Sequence, residues 1–300
     1  MKPALTEKIP ASLYPFTHRF LSVDGIEIHY VDEGAGPTIL FLHGNPTWSF
    51  LYRDIIRELR EKFRCVALDY PGFGLSAKPE HYGYRPEEHA RVVEGFVERL
   101  GLENFFVMGQ DWGGPIGLWF AGRRPERIAG LILGNTWAWP VNGDWHFEWF
   151  SRLFGGAAGK LAIRECNLFV RLLLPAGVVH KERLTPEVWG AYLLPFRTRR
   201  SRLPTYVFPR SIRRSGPFLA EVEQGLPALK EKPVLILWGS KDPAFRPKER
   251  KRLESHFPNH MTVLLGDASH FIQEDAPEQI VREICNWHAA ESTKDVRRKT

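Results

Sequence analysis

Cysteine is scarce in this 300-residue chain: Cys65, Cys166 and Cys285 are the whole supply, far apart and each set in an apolar segment. An odd, dispersed set excludes a disulfide framework and offers no metal-ligand spacing, so reduced core thiols are expected. Long hydrophobic runs are also missing. Nothing approaches the roughly 18 apolar residues that span a bilayer, and the opening "MKPALTEKIPASLYPF" has no apolar secretory core; a cytoplasmic protein without a membrane partner is expected. Acids are absent from "FRTRRSRLPTYVFPRSIRR", which holds Arg197, Arg199, Arg200, Arg202, Arg210, Arg213 and Arg214. With a net charge of +6 this invites an anionic partner, yet no zinc finger or RNP sequence accompanies it. The stretch reads as solvated surface or a subunit contact, which leaves a homo-oligomer open and gives nucleic acid no support.

What is present is ordinary globular composition, 43% hydrophobic and 25% charged, enough for a sizeable core. Asp24-Gly25 separates two alternating segments, "HRFLSV" and "IEIHYVDE", a two-residue hairpin signal. From Thr38 the pattern turns to short buried runs, "TILFL", "RCVALD", "NFFVMG", "IAGLILG" and "PVLILWG", alternating with helical periodicity. Leu51, Ile55, Ile56 and Leu59 form one such apolar face, and Val92, Val93, Phe96, Val97 and Leu100 another. This is an α/β pattern: a mostly parallel sheet with helices on both faces and its functional groups beyond the carboxyl ends of the strands. Residues 137–215 interrupt it with helical patches and no buried parallel strand, so the core is expected from 1–136 and 216–300 around an inserted helical cap. "MTVLLG" gives the last strand, and Asp275 with Glu278 is read as opening a final helix that turns Ile280, Ile284 and Trp287 inward.

The chemistry is concentrated in "FFVMGQDWGGPIGLWF". Gly109 and Gly113 stand two places either side of Asp111 at a strand-to-helix turn, the small-x-nucleophile-x-small pattern of a nucleophile elbow, with aspartate where a serine would be expected. The bland alternative is that Asp111 caps the helix. Two further positions in chain order weigh against it. His270 follows the last strand in "LLGDASHFIQEDAPE", and Asp242 follows the seventh in "LILWGSKDPAF", whereas the sixth-strand position offers only Asn135. In "FLHGNPTWSF", Asn45 supplies one backbone donor to an oxyanion hole and Trp112, after the nucleophile, the other. Both carry side-chain N–H groups suited to a large, weakly hydrated anion. His43 is expected to order its loop. His256 and His260 have a ligand-like spacing that Pro258 spoils.

These motifs, with "YPFTHRF", "HYVDEG", "HGNPTWSFLYRDII", "DYPGFGLSAKP", "WGSKDPAFRPK" and "SHFIQEDAP", run through almost the whole chain, which resembles the haloalkane dehalogenases of the α/β-hydrolase fold. The resemblance implies an eight-stranded, mostly parallel sheet with an inserted cap, Asp111 as nucleophile, His270 as base, and Asn45 with Trp112 holding the halide. An acid after the seventh strand beside an Asn and Trp pair is most like the third subfamily. The second would carry a glutamate where Asn135 stands, and the first would use a cap tryptophan. Trp137, Trp139, Trp145 and Trp149 are candidates for such a donor, with core packing as their ordinary role. The implied substrate is a small halogenated aliphatic, the products an alcohol and halide, and the role detoxification. No metal or other cofactor is required, because every group needed is a side chain or backbone. Two rivals stay open: an epoxide hydrolase with the same Asp-His-Asp set and Tyr192 or Tyr206 activating the oxygen, and a non-catalytic binding protein using the arginine-rich segment.

Overall fold

The computed structural model describes residues 9–299. Residues 1–8, which open the stretch read as lacking a secretory core, lie outside it, as does Thr300. Asp24 and Gly25 both take positive φ, 49° and 77°, and close a hairpin between β1 (Arg19–Val23) and β2 (Ile26–Glu33). β2 pairs antiparallel with β4 (Arg64–Leu68). From there β3 (Thr38–Leu42), β4, β5 (Phe105–Gln110), β6 (Ile128–Gly134), β7 (Val234–Gly239) and β8 (His260–Leu265) run parallel, in the sheet order β1-β2-β4-β3-β5-β6-β7-β8.

Strands β5 and β7 are buried along their whole length, as continuous apolar runs covered on both faces must be. α1 (Arg53–Leu59) and the long α11 (Pro277–Lys299) pack together, while α2 (Pro86–Leu100), α3 (Gly113–Arg123) and α8 (Gly216–Gly225) form a second group. Parallel pairing aligns Leu42 with Gly109, Gln110 with Gly134, and Gly239 with Leu265. The loops leaving β3, β5, β6, β7 and β8 therefore open at one edge of the sheet.

Above that edge, between β6 and β7, lie α4 (Trp145–Gly155), α5 (Ala157–Cys166), a wide i→i+5 turn at Phe169–Leu173, α6 (Pro186–Leu193) and α7 (Leu203–Arg214). α7 puts Tyr206, Phe208 and Ile212 inward. The acid-free arginine stretch finds its partners across the fold: Arg199 pairs with Glu165, Arg200 with Glu80, and Arg202 donates to the carbonyls of Phe196, Arg164 and Glu165. Among the described residues no helix is long and apolar enough to cross a membrane.

Two local expectations need correction. Only Cys65 is a core thiol; Cys166 is exposed at the end of α5 and Cys285 is half-buried, because an apolar neighbourhood in sequence does not say which side of a helix a residue occupies. After α9 (Pro247–His256) and β8, the short helix α10 (Ile272–Asp275) separates from α11 at Ala276. Asp275 does not cap α11: its carboxylate turns back to the amides of Ser269, Val179 and His180.

Candidate active site

Asp111 occupies the turn between β5 and α3 with φ of 51°, a left-handed conformation that costs a non-glycine residue energy and persists only where the surroundings enforce it. The enforcement is visible. A Cβ on Gly113 would strike the Leu42 carbonyl of β3, and one on Gly109 would come within 2.6 Å of the Gly113 oxygen, so strand and helix approach as closely as glycine permits. The Asp111 amide donates to the Asn135 carbonyl at 3.0 Å, and Thr136 Oγ1 donates to the Asp111 carbonyl at 2.6 Å. The carboxylate does not cap α3, which has no side-chain cap. Instead Oδ1 accepts the Asn45 amide at 2.8 Å, and the Trp112 amide also bonds the carboxylate.

His270 approaches from the loop after β8. Its Nδ1 lies 3.0 Å from Asp242 Oδ2 and its Nε2 lies 3.9 Å from Asp111 Oδ2. The Asp242 side chain is fully buried yet well satisfied: Asn135 Nδ2 donates to Oδ2 at 2.5 Å and the Ala244 amide to Oδ1 at 2.6 Å, while Asn135 Oδ1 accepts the Gly239 amide. Burial pushes the Asp111 carboxyl above the usual carboxylate range, against the opposing pull of His270 and the two amides. Burial acts to lower the His270 value, but the Asp242 charge and hydrogen bond, helped by Asp111, outweigh it and hold it above an ordinary histidine. An aspartate-paired Nδ1 fixes the neutral tautomer with a lone pair on Nε2. Sequence reasoning missed one contact here: Gln110 Nε2 bonds the His270 carbonyl at 3.0 Å and lies 3.2 Å from His270 Nε2.

The groups open onto a cavity of about 300 Å³ whose wall includes Asn45, Asp111, Trp112, Phe147, Phe245 and His270. Trp112 stacks on Phe208 of α7, and Asn45 Nδ2 donates to the Thr205 carbonyl of α7 at 3.2 Å, leaving its second N–H free of that bond. α7 thereby orients both side chains. Of the other tryptophans, Trp137 and Trp149 line the cavity, whereas Trp139 stacks on His256 away from it and Trp145 is exposed. His146 also reaches the cavity wall, within 3.1 Å of the Ala244 carbonyl, a placement nothing in its sequence context signals.

His43 is fully buried and driven down to about 4 by burial, bonding the Gly44 carbonyl and accepting the Tyr70 amide; it orders its loop. Tyr192 donates to Glu274, and Tyr206 bonds the Gly155 carbonyl and Arg210. No tyrosine among the described residues lines the cavity, so the pair expected of an epoxide hydrolase is engaged elsewhere. Among the described residues no group of three or more His, Cys, Asp or Glu is placed to hold a metal.

Residues 37–277 match the family model of the alpha/beta hydrolase fold. Haloalkane dehalogenase 2 of Mycobacterium tuberculosis is 48% identical over 274 residues, spanning 91% of this chain and 95% of its own. A cis-3-alkyl-4-alkyloxetan-2-one decarboxylase of Shewanella oneidensis is 31% identical over 91% of this chain and 88% of its own. The crystal structure of haloalkane dehalogenase DbeA from Bradyrhizobium elkani superposes with a TM-score of 0.85 at 28% identity, covering 93% of this chain and 99% of that one. With this identity over nearly its full length, the chain belongs to the haloalkane dehalogenases of the α/β-hydrolase fold.

Proposed function

We propose that this protein hydrolyses small haloalkanes to an alcohol and halide through an alkyl ester on Asp111, with residues 137–215 as the cap over a core of 1–136 and 216–300. One observation carries the reading: Asp111 holds Oδ1 against the Asn45 amide, has the Trp112 amide on the same carboxylate, and turns Oδ2 toward His270 at the wall of an apolar cavity. A serine oxygen attacking an sp3 carbon would leave an ether, which water cannot readily cleave. A carboxylate leaves an ester with an activatable carbonyl.

In the first half, Asp111 Oδ2 forms a bond to carbon as the carbon–halogen bond breaks, the electron pair leaving with halide. The Asn45 and Trp112 side-chain N–H groups receive that charge, preorganised by Thr205 and Phe208. In the second half His270 Nε2 takes a proton from water, and the hydroxide adds to Asp111 Cγ. The negative charge collects on Oδ1, where the Asn45 amide lies, with the Trp112 amide beside it on the same group. Collapse expels the alcohol oxygen, which recovers the proton from His270. Asp242 balances the transient imidazolium. One experiment tests the order of bonds: in a single turnover in oxygen-18 water, the alcohol must be unlabelled and the label must appear in Asp111. Labelled alcohol would mean direct displacement by water.

The 31% identical decarboxylase supports a second reading. An oxetan-2-one offers Asp111 the same kind of target, an sp3 carbon whose leaving group is an anion, here the ring carboxylate. Loss of carbon dioxide from that adduct would form the alkene and expel Asp111 without water. Such turnover would survive in His270→Phe, whereas haloalkane turnover would not.

A further inference from the structure

The base sits in a strip, residues 269–275, that is tied to the cap on both sides of His270. The Ser269 amide, immediately before the base, donates to Asp275 Oδ2 at 2.8 Å. The Phe271 amide, immediately after it, donates to the Gly177 carbonyl of the cap at 3.0 Å. Asp275 Oδ1 receives the cap amides of Val179 and His180 at 2.8 and 3.0 Å. One buried carboxylate thus joins the base's own backbone to the cap turn that faces it. The packing there is close: a Cβ on Gly177 would lie 2.9 Å from the Phe271 ring and 3.2 Å from His270 Cβ. Next to Asp275, Glu274 is bound by Arg53 of α1 at 2.5 and 2.8 Å and by the Tyr192 hydroxyl of α6, so the strip is fixed to core and cap together.

We infer that Asp275 is a positioning residue for His270, coupling the seating of cap residues 177–180 to the orientation of the base. The inference rests on the ester mechanism above and assigns Asp275 to its second half alone. Asp111 is held by the β3 loop and the elbow, through Asn45, Asn135 and Thr136, and none of those contacts passes through Asp275. The hydrogen bonds that seat the attacking carboxylate therefore lie outside those that Asp275 makes. Proton transfer from water depends on the strip, because a base displaced by a fraction of an ångström no longer meets the water and Asp111 Cγ together.

The test is a rapid-quench single turnover of a bromoalkane by the full chain, following bromide and alcohol separately. Asp275→Asn keeps the size of the side chain but puts an amide where a carboxylate accepted three N–H groups. Its bromide step should stay within about twofold of the parent while alcohol formation slows at least about tenfold, and alkylated protein should accumulate. The control is Arg183→Ala, which removes an exposed 3.0 Å ion pair from cap to Glu278 of α11 without touching residues 269–271; both of its steps should match the parent. If Asp275→Asn does not fold, Gly177→Ala, which presses on Phe271 and His270 from a position that also lines the cavity, should slow alcohol formation at least about tenfold more than it slows bromide release. Equal loss in both steps, or an unchanged alcohol step, would overturn the inference. His270→Phe, run alongside, must retain the alkyl group; if it does not, the ester mechanism has failed, whatever Asp275→Asn does.

Discussion

At the scale of single residues the proposed mechanism divides the labour between Asp111 and His270, whose Oδ2 and Nε2 lie 3.9 Å apart. In His270→Phe, a bromoalkane should release about one bromide per site and then stop, as for any ping-pong scheme halted after its first half. Intact-protein mass should rise by the alkyl group, mapped to Asp111, and Asp111→Asn should show neither event. Steady turnover by His270→Phe would refute the division. In the proposed mechanism the side-chain donors act in the first half only. Asn45→Ala and Trp112→Phe should slow bromide release by about 10²–10³, measured in the pre-steady state, while hydrolysis of an ester already formed keeps its backbone donors. Undiminished release in both would remove them from the halide site.

Among the elements, the loops after β6 and β7 converge on one carboxylate. Asn135 Nδ2 and His270 Nδ1 both meet Asp242 Oδ2, at 2.5 and 3.0 Å, so the sixth-strand and seventh-strand positions are neighbours that serve the same imidazole. Asp242→Ala should fold but lose most of the hydrolytic step, because the imidazolium is left without its counter-charge. Adding Asn135→Asp should restore part of it by delivering a carboxylate from the adjacent loop. Asn135 has φ of 35°, a region aspartate tolerates nearly as well as asparagine. Far-UV circular dichroism and alcohol-formation rates check both variants, and full activity in Asp242→Ala alone would show that another acid serves.

For the whole molecule, burial of the site should set the dependence of the proposed reaction on pH. Asp111 must be ionised to attack, and burial raises its pKa, so bromide release should fail on acidification at a pH above the ordinary carboxylate range. His270 must be neutral to take a proton. Its raised value in the free protein owes part to the Asp111 charge, and ester formation abolishes that charge. The acid limb of alcohol formation should therefore lie below the pKa that His270 shows before substrate is added, read by NMR. An acid limb at or above it would mean that the Asp111 charge does not hold the base protonated. The stability linkage has the opposite sense: a histidine whose folded value is raised contributes stability that is complete below its unfolded value and lost as pH rises through the folded one.

Local pattern alone determined the strand sequence, the elbow and the order of Asp111, Asp242 and His270, because each depends on short-range physics: periodicity of apolar residues, glycine at a tight turn, aspartate-glycine in a hairpin. The parallel sheet then gathers those loop residues at one edge, so chain order sufficed to anticipate that they would meet. Tertiary structure decided the rest. Gln110 beside the base, His146 at the cavity wall and the commitment of Asn45 to Thr205 depend on which distant backbone atom lies within hydrogen-bond reach. Tyr192 and Tyr206 could be placed in the cap from sequence, but only packing shows that their hydroxyls are taken by Glu274 and Gly155. Asp275 is the sharpest case. Its spacing before Glu278 reads as a helix cap, yet it prefers three amides that the fold brings to it, two of them from residues 95 and 96 places earlier in the chain. A buried carboxylate goes where most donors converge, and that convergence is a property of the packed molecule.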